Sequence, residues 1–166
     1  MLPKLTIRVA RDEDAEAILQ IHYAAVHEFG LRCYTQEILD EWSSEVNSIR
    51  IEKLRRTMIE NPEGELWIVA ESNEQIVGFG LIVPLNNELR ACYVSPASTG
   101  KGVGQAILKE LESQALKRGV DFLQADASLN AEGFYVRNGY SIASRGQHLL
   151  RSGRKMDCVL MRKYLS

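Results

Sequence analysis

The sequence predicts an α/β fold, a mixed sheet of about seven strands flanked by helices. Three patterns carry that expectation. Apolar runs at 66–70, 76–83 and 89–94 are separated by short polar turns, as in antiparallel hairpins. The run at 89–94 leads through a glycine-rich turn into an amphipathic stretch at 103–117 and then an apolar run at 122–125. A helical crossover returns the chain in the same direction, so the strands at 89–94 and 122–125 are expected to be parallel. Finally, runs at 141–149 and 156–163 surround Arg151-Ser152-Gly153-Arg154 as a closing hairpin.

The elements follow in order. Leu5 to Val9 alternates as a first strand, and Asp12, Glu13 and Asp14 place negative charge at a helix entry, where the helix dipole favours it. Ala15, Ile18, Leu19, His22, Ala25, Val26 and Phe29 recur at three- and four-residue spacing and give the first helix its buried stripe. Thr35 is a good N-cap for a second helical stretch through Ile38, Leu39 and Trp42. Ser43, Ser44, Asn47 and Ser48 interrupt it before the pattern resumes over 51–59, and Asn61-Pro62-Glu63-Gly64 ends the region. Turns are expected at 72–75 and 84–87, Gly119 stops the helix at 103–117, and Gly139 stops a short helix over 131–138.

A chain of 166 residues with 45% apolar content suits one domain, 1–166. The formal charge of −2 leaves no basic footprint, so no nucleic acid is expected as a partner. No stretch approaches eighteen consecutive apolar residues and none has the layout of a leader, which predicts a cytoplasmic protein without a membrane partner. Three scattered cysteines, Cys33, Cys92 and Cys158, read as reduced thiols, and no spacing among them and the histidines suggests a metal. The closing hairpin offers an edge for pairing in a homodimer.

The segment Tyr93-Val94-Ser95-Pro96-Ala97-Ser98-Thr99-Gly100-Lys101-Gly102-Val103-Gly104 is the most specific on the chain. Glycines at 100, 102 and 104 let backbone N–H groups approach a ligand closely, and the helix that follows begins with its first amides unpaired. A pyrophosphate suits such a cradle, with Lys101 beside it. The triphosphatase loop G-x-x-x-x-G-K-[ST] does not occur. The dinucleotide fingerprint G-x-G-x-x-G is not met either, because the glycines here read G-x-G-x-G.

Val94-x-Pro96, Thr99-Gly100-Lys101-Gly102-Val103-Gly104 and Ile107-Leu108 together resemble the central motif of the GNAT N-acetyltransferases, [QR]-x-x-G-x-[GA]. Ser128-Leu129-Asn130-Ala131, Phe134-Tyr135 and Asn138-Gly139-Tyr140 are similar to that family's second signature, and residues 5–14 to its opening strand and helix entry. Thr99 stands at the usual Gln or Arg and Ser128 at the usual Asn. The resemblance implies two parallel central strands that splay apart and hold acetyl coenzyme A. Its pantetheine arm would pair along Cys92 and Val94, and its pyrophosphate would lie over Thr99, Gly100, Lys101, Gly102, Val103 and Gly104. It implies direct acetyl transfer to a primary amine of a small molecule or peptide.

Within that frame Tyr135 is the candidate proton donor to the departing thiolate, against the reading of a core aromatic beside Phe134. Glu88, six residues before Val94, is the candidate base, with Asp126 as competitor and a solvated turn residue as the plainer reading of Glu88. His22 and His27, five apart, are read as helix-face residues and Cys92 as a small buried hydrophobe rather than a nucleophile. Glu28, Tyr34, Glu37, Glu41 and Trp42 fall where acetyltransferases of this kind close over the acceptor. A noncatalytic acyl coenzyme A binding or sensing module on the same fold is the alternative.

Overall fold

The computed structural model describes residues 4–166, so Met1 to Pro3, part of the expected domain, lie outside the described residues. The chain forms β1 (Leu5–Val9), α1 (Ala15–Phe29), α2 (Gln36–Trp42), α3 (Ser48–Glu60), β2 (Leu66–Ser72), β3 (Gln75–Val83) and β4 (Glu88–Val94). It continues as α4 (Val103–Lys117), β5 (Phe122–Ser128), α5 (Glu132–Arg137), β6 (Ser141–Leu149) and β7 (Lys155–Tyr164). Thr35 caps α2 by accepting from the Ile38 amide, as its sequence position suggests. Asn47 caps α3 by accepting from the Arg50 amide, so the polar interruption at 43–48 is a break between two helices.

The seven strands lie in the order β1-β2-β3-β4-β5-β7-β6. Every neighbouring pair is antiparallel except β4 and β5. Those two are parallel and meet at one position, Glu88 opposite Gln124, beside a bond from the Gln124 amide to the Asn87 carbonyl of 2.8 Å. Beyond that point they separate. On the other side of β4 the pairing with β3 continues to its end, but with a bulge: Ala91 lies opposite Leu81 and Leu89 opposite Ile82, which leaves Arg90 as the extra residue.

The bulge decides which side chains face which layer. Strict alternation would put Leu89, Ala91 and Tyr93 on one face. With the extra residue, Leu89, Cys92 and Val94 join the core under α4 and α5, while Ala91 and Tyr93 join the core under α1 and α3. The first core is built on Ile107, Leu108, Leu111 and Leu123, each at most 1% exposed. Among the described residues no helix is long and apolar enough to cross a membrane.

α4 presses closely on β3. A Cβ placed on Gly80 would lie 2.6 Å from Leu111 Cδ1 and 2.7 Å from Ile107 Cγ2, so the helix approaches over a strand position that has no side chain. Gly80→Val should therefore lower the unfolding free energy by about 1–3 kcal/mol through overpacking. Urea denaturation gives the check, and an unchanged midpoint would mean that α4 is not seated on this strand.

Candidate functional site

The separation of β4 from β5 opens a cavity of about 760 Å³. One wall is the end of β4 and the turn into α4, the second is the β5–α5 junction, and the third is the C-terminal part of α1, the turn after it and the end of α2. Of the sequence candidates, Cys92, Val94, Thr99, Gly100, Gly102, Val103 and Gly104 all line it, whereas Lys101, Tyr135 and Glu88 do not.

Gly100 and Gly102 have φ of 76° and 82°, left-handed conformations that glycine adopts without strain, and a Cβ at either would meet nothing within 4 Å. Gly102 is the N-cap of α4 and supplies no side chain to its first amides, which are left open at the positive end of the helix. At Gly104 a Cβ would come within 3.2 Å of the Phe134 ring, so α5 closes against this turn. Thr99 turns back, its hydroxyl donating to the Pro96 carbonyl at 2.9 Å. Lys101 likewise turns back, with Nζ 3.4 Å from the Ala97 carbonyl.

Tyr135 is 6% exposed and packs edge-on between Phe134 and Tyr140, with ring centroids 5.3 and 5.4 Å away. Phe134, its neighbour, lines the cavity. Burial, with Cys92, Tyr93 and Tyr140 nearby, pushes the Tyr135 phenol well above its usual range, so the proton stays on at neutral pH. Arg55 Nε is the one sealed polar side-chain atom without a partner among the described residues. Tyr135 Oη, which also finds no partner there, is therefore not sealed. Cys92 donates weakly to the Gly104 carbonyl at 3.7 Å, and burial pushes its thiol up to about 12, which makes it a poor nucleophile.

The structure does not bring Glu88 to these residues. It opens β4, at the far end of the strand from Val94, and Arg90 holds both its carboxylate oxygens at 3.1 and 2.7 Å. Arg90 also binds Glu63 and Glu65, so Glu88 belongs to a network on the paired end of the strand. The spacing to Val94 is as the sequence has it, but the bulge and the pull of Arg90 point the carboxylate elsewhere. Asp126 is exposed on β5 and does not line the cavity either.

The third wall holds what the sequence showed least. His22 and His27, read as unrelated helix-face residues, converge on Ser43, which is fully buried. His27 Nε2 donates to the Ser43 carbonyl at 2.8 Å, and the Ser43 hydroxyl lies 2.8 Å from His22 Nδ1. With no other acceptor among the described residues, that hydroxyl donates to Nδ1 and fixes His22 as the Nε2–H tautomer. The His22 ring then stands edge-on to Tyr93 and Trp42, at 4.6 and 6.1 Å, both of which line the cavity. A five-residue spacing hides this convergence, because the meeting point is a serine beyond the end of α2.

Tyr34 anchors the same wall to the sheet. Its hydroxyl donates to the Asp157 carbonyl at 2.6 Å and accepts from the Leu129 amide at 2.8 Å. Glu41 binds the Ser152 amide and hydroxyl at 3.1 and 2.9 Å, tying α2 to the β6–β7 turn, whereas Glu28 and Glu37 stay away from the cavity. Phe29 of the first helix's stripe and Asn130 of the second signature line the cavity as well, and so do Arg32 and Arg137, which no sequence signal singled out.

A model described as an acetyltransferase (GNAT) domain matches residues 31–163. The peptidyl-lysine N-acetyltransferase YjaB of Escherichia coli is 24% identical over 143 residues, 86% of this chain and 86% of that protein. A GCN5-related N-acetyltransferase from Rhodopseudomonas palustris superposes with a TM-score of 0.86 at 26% identity, covering 99% of both chains. The PaiA N-acetyltransferase of Thermoplasma acidophilum, solved in complex with coenzyme A, has the same fold with a TM-score of 0.76 at 23% identity, covering 97% of this chain and 99% of that one.

The histidine wall makes a pH prediction. Burial first, then the charges of Arg50 and His27, pushes the His22 imidazole from 6.5 down to about 4. Between those values the unfolded chain takes up a proton that the folded one does not, so the contribution is complete above pH 6.5 and is lost as the pH falls toward 4. The loss amounts to about 3 kcal/mol as an upper limit. His22→Asn, which keeps an acceptor for Ser43 and cannot titrate, should flatten the stability profile across that window. Thermal midpoints measured from pH 4 to 7 test this, and an equal slope in both proteins would rule it out.

Proposed function

Because the chain belongs to the GNAT acetyltransferase family, we propose that it moves an acetyl group from acetyl coenzyme A directly to a primary amine of a small molecule or peptide. One observation carries this reading: the gap between β4 and β5 and the open glycine turn of α4 meet in a single cavity. The residues present fit the donor. Past Glu88, β4 has no partner on its β5 side, which leaves backbone groups around Cys92 and Val94 for an amide-bearing pantetheine arm. Gly100 and Gly102 leave room for a pyrophosphate at the helix start, where backbone amides rather than Thr99 or Lys101 side chains meet it. The E. coli relative is named for peptidyl lysine, which supports the peptide branch of the acceptor class.

Acetyl coenzyme A supplies the activated acyl group; the remaining work falls to this chain's own groups. An acceptor amine of ordinary lysine-like pKa costs about 4–5 kcal/mol to deprotonate at pH 7. No carboxylate lines the cavity, so the proton leaves to water at the cavity mouth rather than to Glu88 or Asp126. A backbone N–H at or beside Val94 meets the oxygen that gains negative charge. Tyr135, protonated and next to Cys92 and Phe134, donates to the departing sulfur.

Release of free thiol from acetyl coenzyme A on adding an amine panel separates this reading from a noncatalytic acyl coenzyme A sensor, which would bind the donor and release none. Gly102→Asp should weaken coenzyme A binding more than Gly102→Asn does. Both side chains tolerate the left-handed backbone, and the carboxylate alone repels phosphate. Equal affinities by calorimetry would move the phosphates off this turn. Tyr135→Phe should lower kcat by about tenfold to a hundredfold with coenzyme A affinity retained. Full turnover at saturating donor would leave Tyr135 a packing residue.

A further inference from the structure

We infer that the acceptor carries a carboxylate close to its amine and that Arg32 binds that carboxylate. This rests on the acetyltransferase reading above. The cavity contains two charged side chains, Arg32 and Arg137, and no Asp or Glu, in a protein whose formal charge is −2. Of the eleven other arginines, Arg8, Arg11, Arg55, Arg90 and Arg145 are paired with carboxylates, and none of the eleven lines the cavity. Neither cavity guanidinium has an ion pair or hydrogen bond to another described residue. Two unpaired guanidiniums border one cavity, and their places on its walls decide which ligand each can meet.

The two arginines stand on different walls. Arg137 lies on α5 close to Phe134, which closes against the Gly104 turn, so its place is with the donor's phosphates. Arg32 ends the helical turn Gly30–Arg32 after α1 and shares its wall with Phe29 and Trp42. That turn is held in place from both sides. Leu39 fills the space over Gly30, where a Cβ would come within 2.5 Å of it, and Tyr34 bridges to Leu129 and Asp157.

The chemistry of this wall selects among amines. A polyamine would bring extra cations to a wall that has a guanidinium and no acid to receive them. A carboxylate-bearing amine instead meets a planar fork suited to bidentate pairing, beside the Trp42 ring on the same wall. Amino acids and short peptides with a carboxylate next to the reacting amine meet this description, and the side-chain amine of a lysine within a longer peptide does not.

The test is steady-state thiol release at saturating acetyl coenzyme A with three amine sets: amino acids and dipeptides with a free carboxylate, their methyl esters, and linear polyamines. The acids should show the highest kcat/KM. Arg32→Gln should lower it by about tenfold to a hundredfold through KM, down to the level of the esters, with coenzyme A affinity by calorimetry unchanged. Arg32 is exposed and unpaired, so the thermal midpoint should hold. Esters or polyamines turned over as well as acids by the native protein would overturn the inference and leave the acetyltransferase reading standing. So would Arg32→Gln weakening coenzyme A, since Arg32 would then serve the phosphates. No thiol release with any set would overturn both.

Discussion

One constraint organises the molecule: β4 and β5 are adjacent in the sheet yet paired at a single position. A sheet interior that leaves backbone groups without partners is costly unless water or a ligand meets them. The flanking elements hold the gap at a set width. β3 grips β4 along its whole length, β7 grips β5 from Phe122 to Ser128, and α4 is seated over β3 with a glycine beneath it. The gap is thus a property of the frame rather than of one flexible loop.

The bulge at Arg90 works in the same service. One extra residue turns Cys92 and Val94 toward α4 and Tyr93 toward α1, so a single strand furnishes side chains to two walls of the cavity. The same residue gathers Glu63, Glu65 and Glu88 at the closed end of the strand. Negative charge is thereby collected away from the cavity, whose own lining is left cationic. Charge segregation of this kind favours anionic ligands over the whole opening without the need for a dedicated charge at each contact.

Much of this was legible in the residues. Periodicity located all seven strands, and the bounds of α4 follow from Val103 at the glycine turn and Gly119 past its end. The glycine turn itself was readable because backbone approach to a ligand demands glycine and leaves that mark. What stayed hidden depends on tertiary meetings. A bulge leaves no mark in an alternating apolar run, so the resemblance suggested Glu88 six residues before Val94, and the bent strand turns that carboxylate toward Arg90. The convergence of His22 and His27 on Ser43 and the bridging role of Tyr34 are made by residues far apart along the chain, and the composition of that region looked merely polar. Arg32 was invisible for a simpler reason: an arginine becomes conspicuous through the absence of a partner, which a sequence cannot display.

The Tyr34 bridge has a consequence for the order of assembly. Its two bonds span 123 and 95 residues along the chain, to the β7 strand and to the exit of β5. Closing loops of that length is entropically expensive early in folding, when few other contacts share the cost. The wall that carries Arg32 and Trp42 is therefore fastened to the sheet only where β5 and β7 already stand in place.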